Sequence, residues 1–180
     1  MLKRITAAVT LLLTGCVNVP AGIVPVEPFD LDRYLGRWYE IARLDHSFER
    51  GLSEVTADYS LRNDGMVRVI NRGYDKANER WKEAEGKARF VREPTQGFLK
   101  VSFFGPFYGS YIIFELDQED YSYALISGPN TSFLWILARQ PTLTDDIIQR
   151  LIATAQEKGF ATSELIFVEQ TAAVEGVGKR

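Results

Sequence analysis

From Tyr34 to Gln140 the sequence is a succession of short segments in which apolar and polar residues alternate, each closed by turn residues, and this pattern points to antiparallel β structure. Alternation at a period of two turns one face of each segment toward a core and the other toward water. Strands are predicted near 38–45, 53–62, 66–74, 79–91, 97–104, 110–117, 121–127 and 133–140. Asn63-Asp64-Gly65 suits the hairpin turn between the second and third. Eight strands with short connections can close into an up-and-down barrel, which removes exposed edges and leaves room for one small ligand, but propensity alone does not separate a barrel from a sandwich. From Thr142 to Lys158 the spacing becomes helical, with Ile147, Ile148, Leu151, Ile152 and Ala155 on one stripe and Asp145, Asp146, Gln149 and Arg150 outside it. Thr142 or Thr144 can cap its start and Gly159 suits its stop.

The first residues have a different character. Met1-Leu2-Lys3-Arg4 and the apolar run from Ile5 to Leu13 have the charged head and short apolar core of a secretory signal, too short to span a bilayer. The run ends in Leu13-Thr14-Gly15-Cys16, which looks like a bacterial lipobox, so we read 1–15 as a signal peptide and Cys16 as the acylated first residue of a lipoprotein. Loss of Lys3 and Arg4 shifts the formal charge from -3 to -5. Cys16 is the single cysteine, which excludes an internal disulfide and leaves no thiol nucleophile or thiolate metal site after lipidation. Val17 to Pro28 carries three prolines and reads as an extended, lipidated tether over 16–28. The mildly acidic balance lacks the basic stripe of a nucleic-acid partner.

Gly36-Arg37-Trp38 opens the first strand, and Arg139 closes the run Phe133-Leu134-Trp135-Ile136-Leu137-Ala138 about a hundred residues later. A glycine at the strand start permits a tight turn, a Trp two residues on can plug one end of a small barrel, and an Arg on the last strand can stack on the indole. With Gly36 to Arg43, Asp120 to Pro129 and Phe133 to Arg139 taken together, the chain resembles the bacterial lipocalins. The family's Thr-Asp-Tyr is replaced here by Glu119-Asp120-Tyr121, a departure that touches loop geometry more than fold. The resemblance implies an all-β chain: an eight-stranded antiparallel up-and-down barrel with one C-terminal amphipathic helix packed outside, spanning 29–170, with Leu165 to Val168 as a short extra strand and 171–180 as a mobile tail.

Followed from Trp38, the alternation turns Val55, Ala57, Tyr59 and Leu61 inward on the second strand and Val67, Val69 and Asn71 on the third. Ala84, Gly86 and Ala88 are small inward positions on the fourth; Leu99, Val101 and Phe103 line the fifth; Tyr111, Ile113 and Glu115 follow on the sixth, and Trp135 on the eighth. Such a lumen is mostly apolar with a few polar tips. We therefore read Tyr59, Val69, Asn71, Leu99, Val101, Phe103, Tyr111, Ile113 and Trp135 as ligand-binding, Cys16 as the lipidation site, and Gly36, Trp38 and Arg139 as the structural signature. Glu115 is the least comfortable inward residue, since a buried unpaired carboxylate is costly. In Gly105-Pro106-Phe107-Tyr108-Gly109, a mouth loop, the aromatic pair is a candidate contact with membrane or a second protomer, or it folds back into the cavity.

No catalytic constellation, phosphate-cradling loop or cofactor motif is present in the sequence, and His46, the lone histidine, reads as an ordinary surface side chain rather than a metal ligand. The resemblance implies a non-enzymatic protein that binds fatty acids, lysophospholipids or phospholipids, held at the outer membrane by its lipid anchor with the barrel facing the periplasm, and open to homodimer formation. Two rival classes remain at this stage: a structural or assembly lipoprotein with a filled barrel, and a lipid-acting enzyme.

Overall fold

A computed structural model describes residues 17–171. Residues 1–15, read above as a signal peptide, Cys16, and residues 172–180 of the predicted tail lie outside the described residues. Strands β1 (Gly36–Arg43), β2 (Leu52–Leu61), β3 (Val67–Asp75), β4 (Arg80–Phe90), β5 (Phe98–Ser102), β6 (Gly109–Leu116), β7 (Tyr123–Ser127) and β8 (Leu134–Ala138) each pair antiparallel with the next. β8 also returns to pair with β1, so the sheet closes into the expected eight-stranded up-and-down barrel. A one-turn helix α1 (Leu31–Tyr34) precedes it, α2 (Asp145–Glu157) follows it, and a short β9 (Ile166–Phe167) pairs with β1 from outside.

Three bulges interrupt the alternation, in β1 between Glu40 and Ala42, in β2 between Ser53 and Thr56, and in β6 between Ile113 and Glu115. An extra residue reverses which parity faces the core. On β1, Trp38 packs in the inner core while Ile41 and Ala42 both join the outer one. On β6, Ile113 and Leu116 are inner and Phe114 is outer, so the inward position predicted for Glu115 is corrected: it lies 3.8 Å from Arg150 of α2, on the barrel's outer side. Leu61 and Ala84 keep the predicted inward parity, opposite Val67 and Asn71, but both are exposed, Leu61 at 56% at the end of β2.

The molecule has two cores on opposite sides of one wall. The outer one is covered by α2, whose Leu151 and Ala155 are fully buried, and by Phe160, which stacks on Phe114 at 5.7 Å. Thr144 occupies the helix N-cap with Asp145 and Asp146 in the first turn, where carboxylates favour the positive end of the helix. The segment from Val17 to Pro28 is laid against the barrel: Val17, Val19 and Ile23 join the outer core, Val26 exchanges backbone hydrogen bonds with Ile113 and Gly97, and Phe29 donates to Thr95.

Candidate functional site: the barrel lumen

Strand direction assigns the two ends of the inner space. β1 starts at the end capped by α1 and runs toward the loops 44–51, 76–79, 103–108 and 128–133, which form the mouth.

The closed end is tightly bonded. Trp38, with no exposed surface, donates its indole N–H to the Tyr34 carbonyl at 2.9 Å. The Arg139 guanidinium lies 4.1 Å from the centre of the Trp38 ring and donates to the carbonyls of Arg37 (2.9 Å) and Arg33 (2.6 Å). Gly36 has φ +94°, a left-handed conformation that favours glycine, while a Cβ there would stand 3.4 Å from Arg139 Nη1, an ordinary contact. Beneath, the Asp30 carboxylate caps α1, Arg33 stacks on Tyr121 at 4.0 Å, and the Tyr121 hydroxyl accepts from the Asp30 amide at 3.0 Å.

Above this floor three tyrosine hydroxyls meet. Tyr111 is 2.7 Å from Tyr34 and 2.8 Å from Tyr59. Burial raises the pKa of all three well above the ordinary tyrosine value, so they are neutral at physiological pH. Two bonds among three hydroxyls use two of three hydrogens, leaving one O–H for a further acceptor. On β3, Asn71 Oδ1 is buried with no protein partner, which leaves an acceptor for a further donor. Tyr59 and Tyr111 are among the predicted lumen residues; Tyr34 is not, because it sits in the one-turn α1 where no alternation marks an inward face.

The other predicted wall residues divide by depth. Val69, Leu99 and Ile113 are buried in the inner core, whereas Asn71, Val101, Phe103, Tyr111 and Trp135 keep part of their surface accessible. Phe103 lies over Gly86, where a Cβ would come within 2.8 Å of its ring, so the glycine makes the room the ring occupies.

The mouth holds a buried polar network that the sequence reading missed. Arg43 donates to Glu40 Oε1 at 2.6 Å and to the Glu49 carbonyl at 2.8 Å. His46 Nε2 is 3.0 Å from Glu49 Oε2, which also accepts the Trp135 indole N–H at 3.1 Å. His46 is therefore corrected from an ordinary surface side chain: it is 6% exposed, stacked on Phe48 at 4.0 Å and tilted against Trp135 at 5.1 Å. Burial and the neighbouring Glu49 raise the Glu40 carboxyl well above its usual range despite Arg43. Burial opposes ionisation of Glu49 as well, but His46, Trp135 and Arg43 outweigh it and hold that carboxyl below its usual value. One visible signal existed: alternation from Trp38 already turns Glu40 inward. At the rim, Lys82 (2.7 Å) and Asn78 bring the Asp75 carboxyl down to about 2. Phe107 does not fold back into the lumen; it is exposed.

The barrel interior is lined by apolar side chains with one free hydroxyl hydrogen and one free amide oxygen; an aromatic plug closes it below and paired charges flank it above. The family model described as a lipocalin-like domain matches residues 29–170. Outer membrane lipoprotein Blc of Vibrio cholerae is 59% identical over 161 residues, covering 89% of this chain and 94% of that protein. The protein of the same name from Escherichia coli K12 is 51% identical over 165 residues, covering 92% and 93%, and apolipoprotein D of Bos taurus is 35% identical over 153 residues, covering 80% and 75%. Among solved structures, insecticyanin from the tobacco hornworm Manduca sexta superposes with a TM-score of 0.67 at 21% identity, covering 87% of this chain and 88% of that one, a likeness of fold. By its closed barrel, its plug of Trp38 under Arg139 and these relatives, the chain belongs to the lipocalin family.

Proposed function

We propose that this protein binds one acyl lipid, a fatty acid, lysophospholipid or phospholipid, in the lumen of its barrel, and stores or transports it in the bacterial envelope. The observation that carries the reading is the lumen itself: accessible apolar walls at Val101 and Phe103 beside two unsatisfied polar atoms at the tyrosine trio and Asn71. Each buried methylene contributes about 0.8 kcal/mol and a hydrogen bond about 1 kcal/mol net, so chain burial supplies affinity and the polar atoms set orientation. The hydroxyls are held neutral by burial, which suits binding and gives no activated nucleophile. The likeness to the outer membrane lipoproteins of Vibrio cholerae and Escherichia coli supports an outer-membrane lipoprotein. In our reading Cys16 carries the anchor and the barrel faces the periplasm. Sedimentation velocity on the extracted protein reads whether it works singly or as a homodimer.

The test is a titration of delipidated protein with lysophospholipid, followed by tryptophan fluorescence in a Trp81→Phe background that removes the exposed outer indole. Trp135 is half-buried in the lumen wall, so its emission changes saturably, and Trp135→Phe abolishes the change. No saturable change with any acyl ligand contradicts the proposal.

A further inference from the structure

The mouth loop between β5 and β6 carries Phe104 and Phe107, which are 80% and 70% exposed, the first and third most exposed of the large apolar side chains among the described residues. Phe48, 58% exposed, projects from the β1–β2 loop at the same end of the barrel. Isolated exposed apolar residues need no explanation, but aromatics gathered on the loops of one end mark a contact surface.

A second, independent observation says what covers it. The described chain begins beside this same loop: Ser110, in the first turn of β6 after the loop, donates to the Asn18 carbonyl at 2.6 Å, and Val17 and Val19 pack against the barrel wall. Cys16 lies two residues before Asn18, and an extended chain spans at most about 3.6 Å per residue, so its Cα stays within roughly 7 Å of the Asn18 Cα. The described chain thus begins at the mouth end, with Val17 and Asn18, and in our reading the acylated residue immediately precedes them. On the wall below the loop, Arg89 and Lys100 lie 5.5 and 5.3 Å from the Tyr108 ring centre, holding that ring of the loop against the barrel.

We propose that the mouth is docked onto the leaflet that holds the acyl chains of Cys16, with Phe104 and Phe107 inserted at its interfacial level and the closed end pointing into the periplasm. This deepens the function proposed above and rests on acylation of Cys16. Aromatic rings suit the headgroup boundary, and a second apolar contact beside the anchor fixes the tilt that a single flexible tether leaves free. A lipid then passes between leaflet and lumen without crossing water.

The experiment uses the full lipidated protein with Phe107→Cys labelled with the environment-sensitive fluorophore NBD, reconstituted into vesicles of phosphatidylethanolamine and phosphatidylglycerol; acylation leaves the new cysteine as the only free thiol. A companion carries Asn63→Cys at the closed-end hairpin, and intact mass reports the acyl chains on Cys16. The probe at 107 is expected to shift blue and to be quenched about twofold or more by doxyl-labelled lipid, with the probe at 63 unaffected. Acylated protein whose 107 probe is unquenched, or whose 63 probe is quenched as strongly, overturns the orientation while leaving the anchor intact. An unmodified Cys16 overturns the anchor and the proposal with it.

Discussion

The two ends of the barrel are made from the same eight strands and obey opposite rules. At the closed end the polar groups around the plug are paired: the Trp38 indole, the Arg139 guanidinium and the Tyr121 hydroxyl all reach backbone partners, and the apolar surface between them is fully buried. Toward the mouth, charges are buried and polar atoms are left open, including Arg43 Nε, His46 Nδ1 and Asn71 Oδ1. Local rules of packing and polar satisfaction are broken where a site needs groups that only a ligand can complete. In the function we propose, the closed end carries stability and the more open part of the lumen carries recognition.

Substitutions separate the two roles. The largest effect is expected from Trp38→Ala, which empties a fully buried indole site and costs about 3–5 kcal/mol in urea unfolding, while the folded fraction retains its lipid affinity. If affinity collapses in step with stability, the ends are not separable. Arg43→Met should cost about 3 kcal/mol, because it leaves Glu40 and Glu49 buried without their cation; the cost shrinks as pH falls and Glu40, with its raised pKa, takes up a proton. Tyr111→Phe removes the central hydroxyl of the trio, and we expect about 1 kcal/mol of stability lost and a lipid dissociation constant weakened by up to about tenfold by fluorescence titration. An unchanged dissociation constant with the same loss of stability would make the trio a packing feature.

The smallest effect is one of pH. The folded Asp75 carboxyl titrates at about 2, below the ordinary value of 3.8, so folding favours its ionised form. Its contribution is complete above about pH 4 and is lost as pH falls toward 2. Wild type and Asp75→Asn should therefore differ in urea midpoint at pH 6 and converge near pH 2. A gap that stays constant down to pH 2 would place the stabilisation elsewhere than in the carboxylate.

How much of this was legible in the sequence follows from what each feature depends on. Period-two alternation marked all eight strands, and the helical stripe marked α2, because both patterns depend on local geometry and one buried face. The plug was legible as well, since a glycine, an indole and an arginine at separated positions satisfy one steric and one electrostatic need. The bulges were not, because an extra residue is set by pairing with a neighbouring strand, and one of them moved Glu115 from the lumen to Arg150. The mouth network was hidden for a related reason. Glu40, Arg43, His46 and Glu49 read singly as solvated charges, and only the folding back of the 44–51 loop makes them one another's partners. Tyr34 escaped because its inward direction is fixed by hydrogen bonds of the α1 turn and not by strand parity.

The central claim, that the lumen holds an acyl lipid, is tested most directly by native mass spectrometry of the protein extracted from its own membrane. The account predicts a non-covalent adduct with the mass of one fatty acid, lysophospholipid or phospholipid, lost on delipidation and restored by adding the lipid back. Bare acylated polypeptide that takes up none of these lipids on re-addition would contradict it.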